Sequence, residues 1–222
     1  MQETLDALVR LNSAGAAKMA SGNYEDGATA FAYGLAITAT SSSRRVVHRT
    51  KKVLPSGWNL ACTQAFLDDD PMKLCHVFDR CFIVSTTTET NGRGMITLAG
   101  ENERLLLSAI LSYNLALAFH LAGCQGTENQ RYNFCQARAF NKRTLRMVQT
   151  MSRSENVTKL SLATLNNMAS LALEELDFKS FHTCRKQISS LTAAMESDFY
   201  FDFFVGNFVV SQAIHEHPAS SA

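Results

Sequence analysis

Proline and glycine are scarce in this chain of 222 residues, at three and eleven copies. An architecture of many short strands needs turn residues at close intervals, so the scarcity points away from an all-β sandwich or barrel and towards long helices. Charge of one sign is also lacking. Lys and Arg number 21 against 20 Asp and Glu, a formal net charge of +1, whereas a protein devoted to nucleic acid is distinctly basic. Apolar side chains are plentiful: 46% hydrophobic against 18% charged describes a chain that buries a core, not a disordered one.

The six cysteines stand at 62, 75, 81, 124, 135 and 184 and form no C-x-x-C. Their spacing suggests neither a zinc site nor a stapled secreted fold, so reduced thiols and a cytoplasmic setting are expected, with no metal and no cofactor. The opening "MQETLDALVR" carries Glu3 and Asp6 and no apolar core before a cleavage site, so no signal or transit peptide is expected. Arg44, Arg45, Arg49, Lys51 and Lys52 lie in "SSSRRVVHRTKK". That cluster suits nuclear import, an anionic ligand or merely a solvated face, and the residues alone leave the three open.

Leu105–Gly123, "LLLSAILSYNLALAFHLAG", has neither carboxylate nor Lys or Arg and is long enough to span a bilayer. Asn114 and His120 would be costly in hydrocarbon, and the flanks show no Lys/Arg asymmetry and no Trp. A helix apolar all round also suits the centre of a large helical protein, and that is the expectation. His120 with Cys124 one turn later invites a nucleophilic reading, but the nearest acid in sequence is Glu128, so nothing adjacent orients the imidazole.

A pattern recurs in "LNSAGAAKMASGNYEDGATAFAYGLAIT" from Leu11, in the run around Leu115, and in "LNNMASLALEELDFKSFHTCRKQISSL" from Leu165. Each has an apolar helix with small residues in its middle, a short break, an aromatic and a second amphipathic helix. The chain resembles the tetratricopeptide repeat family, whose signature is W-x₂-L-G-x₂-Y…A-x₃-F…P. Leu11, Ala14 and Gly15 fill the Trp, Leu and Gly slots of the first copy, with Gly27 and Phe31 in the small and aromatic slots. Leu115, Ala116 and Phe119 open the second copy, which restarts at Phe134 and Ala137 after the polar "CQGTENQRY". Leu165, Met168 and Ala169 open the third, where Phe181 falls in a slot for a small residue. Lys18 in the first Tyr slot and the missing closing Pro also depart from the pattern.

The resemblance implies an all-α fold: helix hairpins stacked as a short right-handed superhelix in a single domain of residues 1–222. Repeat 1 would cover 4–40, repeat 2 with its polar loop 102–150, and a divergent repeat 3 158–196. An insert at 41–101 carries the basic segment and a candidate small β-hairpin. "FDRCFIVST" and "GMITLAG" flank the Asn91–Gly92 turn signal, so either a hairpin or irregular strands packed on the helices is expected there. Residues 197–222 hold the aromatic run "FYFDFFVGNFVV", which would cap the core or dock a partner, and a disordered tail with "HEH".

The resemblance further implies protein binding along a concave groove lined by first helices. The groove residues expected on that basis are Asn12, Tyr113, Asn114, His120, Asn166 and Asn167. A carboxylate clamp for acidic C-termini looks absent, since Asn12 and Ala16 hold the first pair's positions and the third copy's first helix lacks the matching basic residues. Another subgroup repeats an asparagine just before the Leu slot. Asn114 and Asn167 match it, Ser13 does not, and such an amide either grips a peptide backbone or bonds within its own helix. A scaffold for another protein is the leading expectation, with no small-molecule substrate and no membrane. Nucleic-acid recognition by helical repeats, or an enzyme using the insert through Cys81 or His76, are the alternatives.

Overall fold

The computed structural model describes residues 2–42, 58–62, 78–86, 101–126 and 128–193. The basic cluster, the expected strand at 94–100, the aromatic run and the "HEH" tail lie outside the described residues. Among the described residues the chain is predominantly α-helical: α1 (Gln2–Ala20), α2 (Tyr24–Ser42), α3 (Glu101–Cys124), α4 (Gln130–Gln149), α5 (Glu155–Glu174) and α6 (Phe178–Thr192). Two short strands, β1 (Trp58–Cys62) and β2 (Phe82–Thr86), pair antiparallel.

The helices form hairpins, α1 with α2, α3 with α4 and α5 with α6. Their turns are locally determined. At the end of α1, Gly22 adopts φ +78°, its N–H bonds to the Met19 carbonyl at 3.0 Å, and the Asn23 N–H reaches back to Lys18 at 3.0 Å. That paired closure of orphan carbonyls is a Schellman motif. Asn23 then begins α2, its Oδ1 accepting the Asp26 N–H at 3.3 Å. The α5–α6 turn repeats both devices. Leu176 takes φ +57°, the Asp177 N–H bonds to Ala172 at 2.8 Å, and Asp177 Oδ1 accepts the Ser180 N–H at 3.1 Å. Gly126, after α3, has φ +70°.

The described residues fall into two compact units. The first holds those up to 62 together with 80–151, and the second holds 78–79 and 152–193. Within the first, α2 packs on α3 and β2 on α1. α3 is therefore enclosed by α2, α4 and β2, and every residue from Ala109 to Ala118 is buried. Arg104–Cys124 is long and apolar enough to cross a membrane by length and composition, and 67% of its apolar window is buried inside the protein. Close helix approach depends on small residues. A Cβ added to Gly15 would stand 2.5 Å from Cε1 of the fully buried Phe31, and one added to Gly123 would meet the Phe134 ring.

Extended structure was expected over 78–86, and a strand is present at Phe82–Thr86, but its described partner is upstream. Trp58 opposes Thr86 and Cys62 opposes Phe82. Asn91–Gly92 is a local signal for a downstream hairpin, whereas the pairing found spans residues 63–81 and leaves no short-range trace.

Candidate functional site

An asparagine does two jobs at once when its amide meets the main chain of one residue edge-on, accepting from the N–H and donating to the C=O of that residue. α3 delivers Asn114 to that position. Its Oδ1 accepts the Phe82 N–H at 2.9 Å, and its Nδ2 donates to the Phe82 carbonyl at 2.9 Å. A third bond from Nδ2 goes to Asn12 Oδ1 on α1 at 2.8 Å, and Asn12 Nδ2 donates to the same Phe82 carbonyl at 3.0 Å. Both asparagines have no exposed surface. In an antiparallel ladder alternate residues turn their N–H and C=O away from the partner strand, and those of Phe82 meet Asn114 on α3 and Asn12 on α1.

The second unit contains the same device. Asn167 on α5 accepts the Phe78 N–H at 2.8 Å and donates to the Phe78 carbonyl at 3.1 Å. Asn166 donates to Asn167 Oδ1 at 3.3 Å. Residues 78–84 supply the clamped residue of each unit, Phe78 in the second and Phe82 in the first. Of the apolar side chains there, Phe78 and Phe82 are each 1% exposed, Val84 3% and Cys81 7%, and Ile83 is half-buried. The Phe82 ring meets Tyr113 edge-on with centroids 5.1 Å apart, and the Tyr113 hydroxyl donates to the Arg80 carbonyl at 3.5 Å.

The six expected groove residues are therefore all buried, Asn12, Tyr113, Asn114 and His120 in the first unit and Asn166 and Asn167 in the second. Five of them belong to the two clamps. His120 does not. It is fully buried, its ring stands edge-on to Phe134 at 5.9 Å, and neither ring nitrogen has a hydrogen-bond partner among the described residues. Burial without a partner penalises the imidazolium and holds its pKa down at about 4, against an ordinary 6.5. Cys184 on α6 is likewise unsuited to nucleophilic use. Burial and the Asp177 carboxylate push its thiol up to about 11.

Sequence reasoning missed the segment that fills the clamps. Its signal was two bulky aromatics, Phe78 and Phe82, each meeting an amide on a helix far away in sequence. Also unforeseen is a groove of about 670 Å³ in the first unit between α2, α3 and α4, with Tyr24, Phe119, Tyr132 and Phe140 among its walls. Phe119 stacks on Phe140 at 6.0 Å there and meets Tyr132 edge-on at 6.3 Å. No protein-family model matches this chain, and neither the curated proteins nor the solved structures compared with it gave a match.

Proposed function

We propose that this chain is a protein-interaction scaffold of tetratricopeptide type, its hairpins stacked as a short right-handed superhelix that grips an extended peptide from a partner protein. The observation that carries the reading is the pair of asparagine clamps. Each amide pairs with both the N–H and the C=O of one residue, here the chain's own Phe82 and Phe78, which is how a surface holds extended chain regardless of its sequence. The repeated turn device at Gly22–Asn23 and Leu176–Asp177 supports descent of the hairpins from one repeating unit. No small-molecule substrate, cofactor or catalytic role is needed, and the proposed setting is cytoplasmic.

The test is panning of the immobilised full-length chain against random linear peptides. Enrichment of peptides whose binding changes little with added salt supports the scaffold. Failure to enrich any peptide sinks it, and RNA binding that falls steeply with salt would favour the nucleic-acid alternative.

A further inference from the structure

We infer that the groove between α2, α3 and α4 of the first unit binds an arginine side chain presented by a peptide of another protein. The inference does not depend on the scaffold reading, since no clamp residue is among the walls of this groove. Its space comes from small side chains. Ala28 and Ala32 stand one helical turn apart on α2, and Ala118 and Ala122 do the same on α3, so neither helix fills the gap beside α4. Aromatic rings line it from α3 and α4. Phe119 stacks on Phe140 and meets Tyr132 edge-on, and Tyr132 remains 59% exposed.

Rings and methyl groups alone would suit any apolar ligand, so the polar walls decide the chemistry. Glu25 is the one formally charged residue among them, and its carboxylate has no ion pair or hydrogen bond among the described residues. Its neighbour Asp26 is by contrast tied to Lys18 at 3.2 Å. Arg131 and Arg138 of α4 are not among the walls. The groove therefore presents aromatic faces and a carboxylate, both of which attract a cation. Asn129, Asn133 and Gln136 follow one another along one side of α4 and offer amide oxygens. A guanidinium uses every one of these features, lying flat on a ring while its N–H groups reach carboxylate and amide oxygens. A quaternary ammonium has no N–H for those oxygens, and a lysine ammonium holds its hydration more strongly. The amides span about 10 Å of α4, a length that suits peptide backbone flanking the arginine rather than a free small cation.

The probes are fluorescently labelled peptide pools with one fixed central residue and randomised Ala, Gly and Ser flanks, titrated into the full-length chain and followed by anisotropy. The central residue is arginine, citrulline, lysine, trimethyl-lysine or norleucine. The arginine pool should bind at least about tenfold more tightly than the citrulline pool, which keeps the shape and loses the charge. Glu25→Gln should remove most of that preference, and Tyr132→Ala should weaken the arginine pool by about threefold or more. Both positions are exposed, so circular dichroism should show the helices intact. If Tyr132→Ala loses helix, Tyr132→Leu, which keeps bulk without an aromatic face, takes its place. Equal binding of the arginine pool and the norleucine or lysine pool overturns the inference. Tighter binding of trimethyl-lysine overturns it in favour of a quaternary ammonium site. An unchanged affinity in Glu25→Gln, or no binding by any pool, overturns it as well, and none of these results bears on the asparagine clamps.

Discussion

Gly22 and Leu176 stand at the same point of two hairpin turns, with φ of +78° and +57°. Each is followed by a residue whose N–H reaches back to the preceding helix, Asn23 to Lys18 and Asp177 to Ala172. Glycine enters this left-handed region without penalty, whereas a leucine there costs about 1 kcal/mol through its Cβ. Leu176 is 74% exposed, so little burial offsets that strain. Leu176→Gly should therefore stabilise the chain by about 0.5–1 kcal/mol, net of the unfolded-state entropy that glycine adds. Gly22→Ala, where an added Cβ meets nothing within 4 Å, should destabilise by a similar amount for purely conformational reasons. Urea unfolding of both variants checks the pair, and a destabilised Leu176→Gly would show that the leucine has a packing role.

The helix approach at Gly15 is steric rather than conformational. The Phe31 ring is fully buried, and an added Cβ at Gly15 would lie 2.5, 2.7 and 2.9 Å from three of its carbons. Gly15→Ala should cost about 1–3 kcal/mol, the usual range for overpacking. Phe31→Leu in the same chain should recover part of it, so the double-mutant cycle yields a favourable coupling. Additive losses would mean the two helices separate instead.

Truncating the two asparagines of the first clamp should not be equivalent. Asn114→Ala leaves the buried Phe82 N–H with no acceptor from the clamp and removes one of two donors to its carbonyl. Two hydrogen bonds to buried main chain are lost at once, so a loss of about 1–3 kcal/mol is expected. Asn12→Ala leaves both Asn114 bonds to Phe82 in place and should cost about 1 kcal/mol. Equal losses on chemical unfolding would contradict the clamp geometry.

Much of this fold could be read from local pattern, because its hairpins are local objects. The "SGNY" turn announces itself through Gly22 and Asn23, and α3 through an apolar circumference that only an enclosed helix can use. The third copy is harder to read because Phe181 falls in a slot for a small residue, and its turn closes on Leu176 without a glycine. The site divides differently. Asn114 and Asn167 were found from their slot before an apolar residue, but what they hold was not. Asn114 meets Phe82 across 32 residues and Asn12 across 102, and Asn167 meets Phe78 across 89. Ser13 occupies the slot that Asn114 and Asn167 hold, yet Asn12 joins the cluster, since an amide one position earlier on α1 still reaches the Phe82 carbonyl. Pairings at such separations leave no mark on periodicity, and β1 went unread for the same reason.

His120 makes stability depend on pH. Its imidazole is neutral in the folded chain, with a pKa lowered by burial to about 4, and it takes a proton near 6.5 once unfolded. Between those values the unfolded state binds a proton that the native state does not, so stability falls as pH drops from 6.5 towards 4 and levels off for this group below it. A shift of that size corresponds to a loss of about 3 kcal/mol across the window. His120→Leu removes the titration and should flatten this limb, leaving the slope of the other groups. It should also raise stability at neutral pH, since two ring nitrogens without partners among the described residues leave the core. Denaturant midpoints measured for both chains between pH 7 and 4 decide the matter: parallel curves would mean that water or another group satisfies His120 in solution, and converging ones would mean that the leucine fits the site poorly.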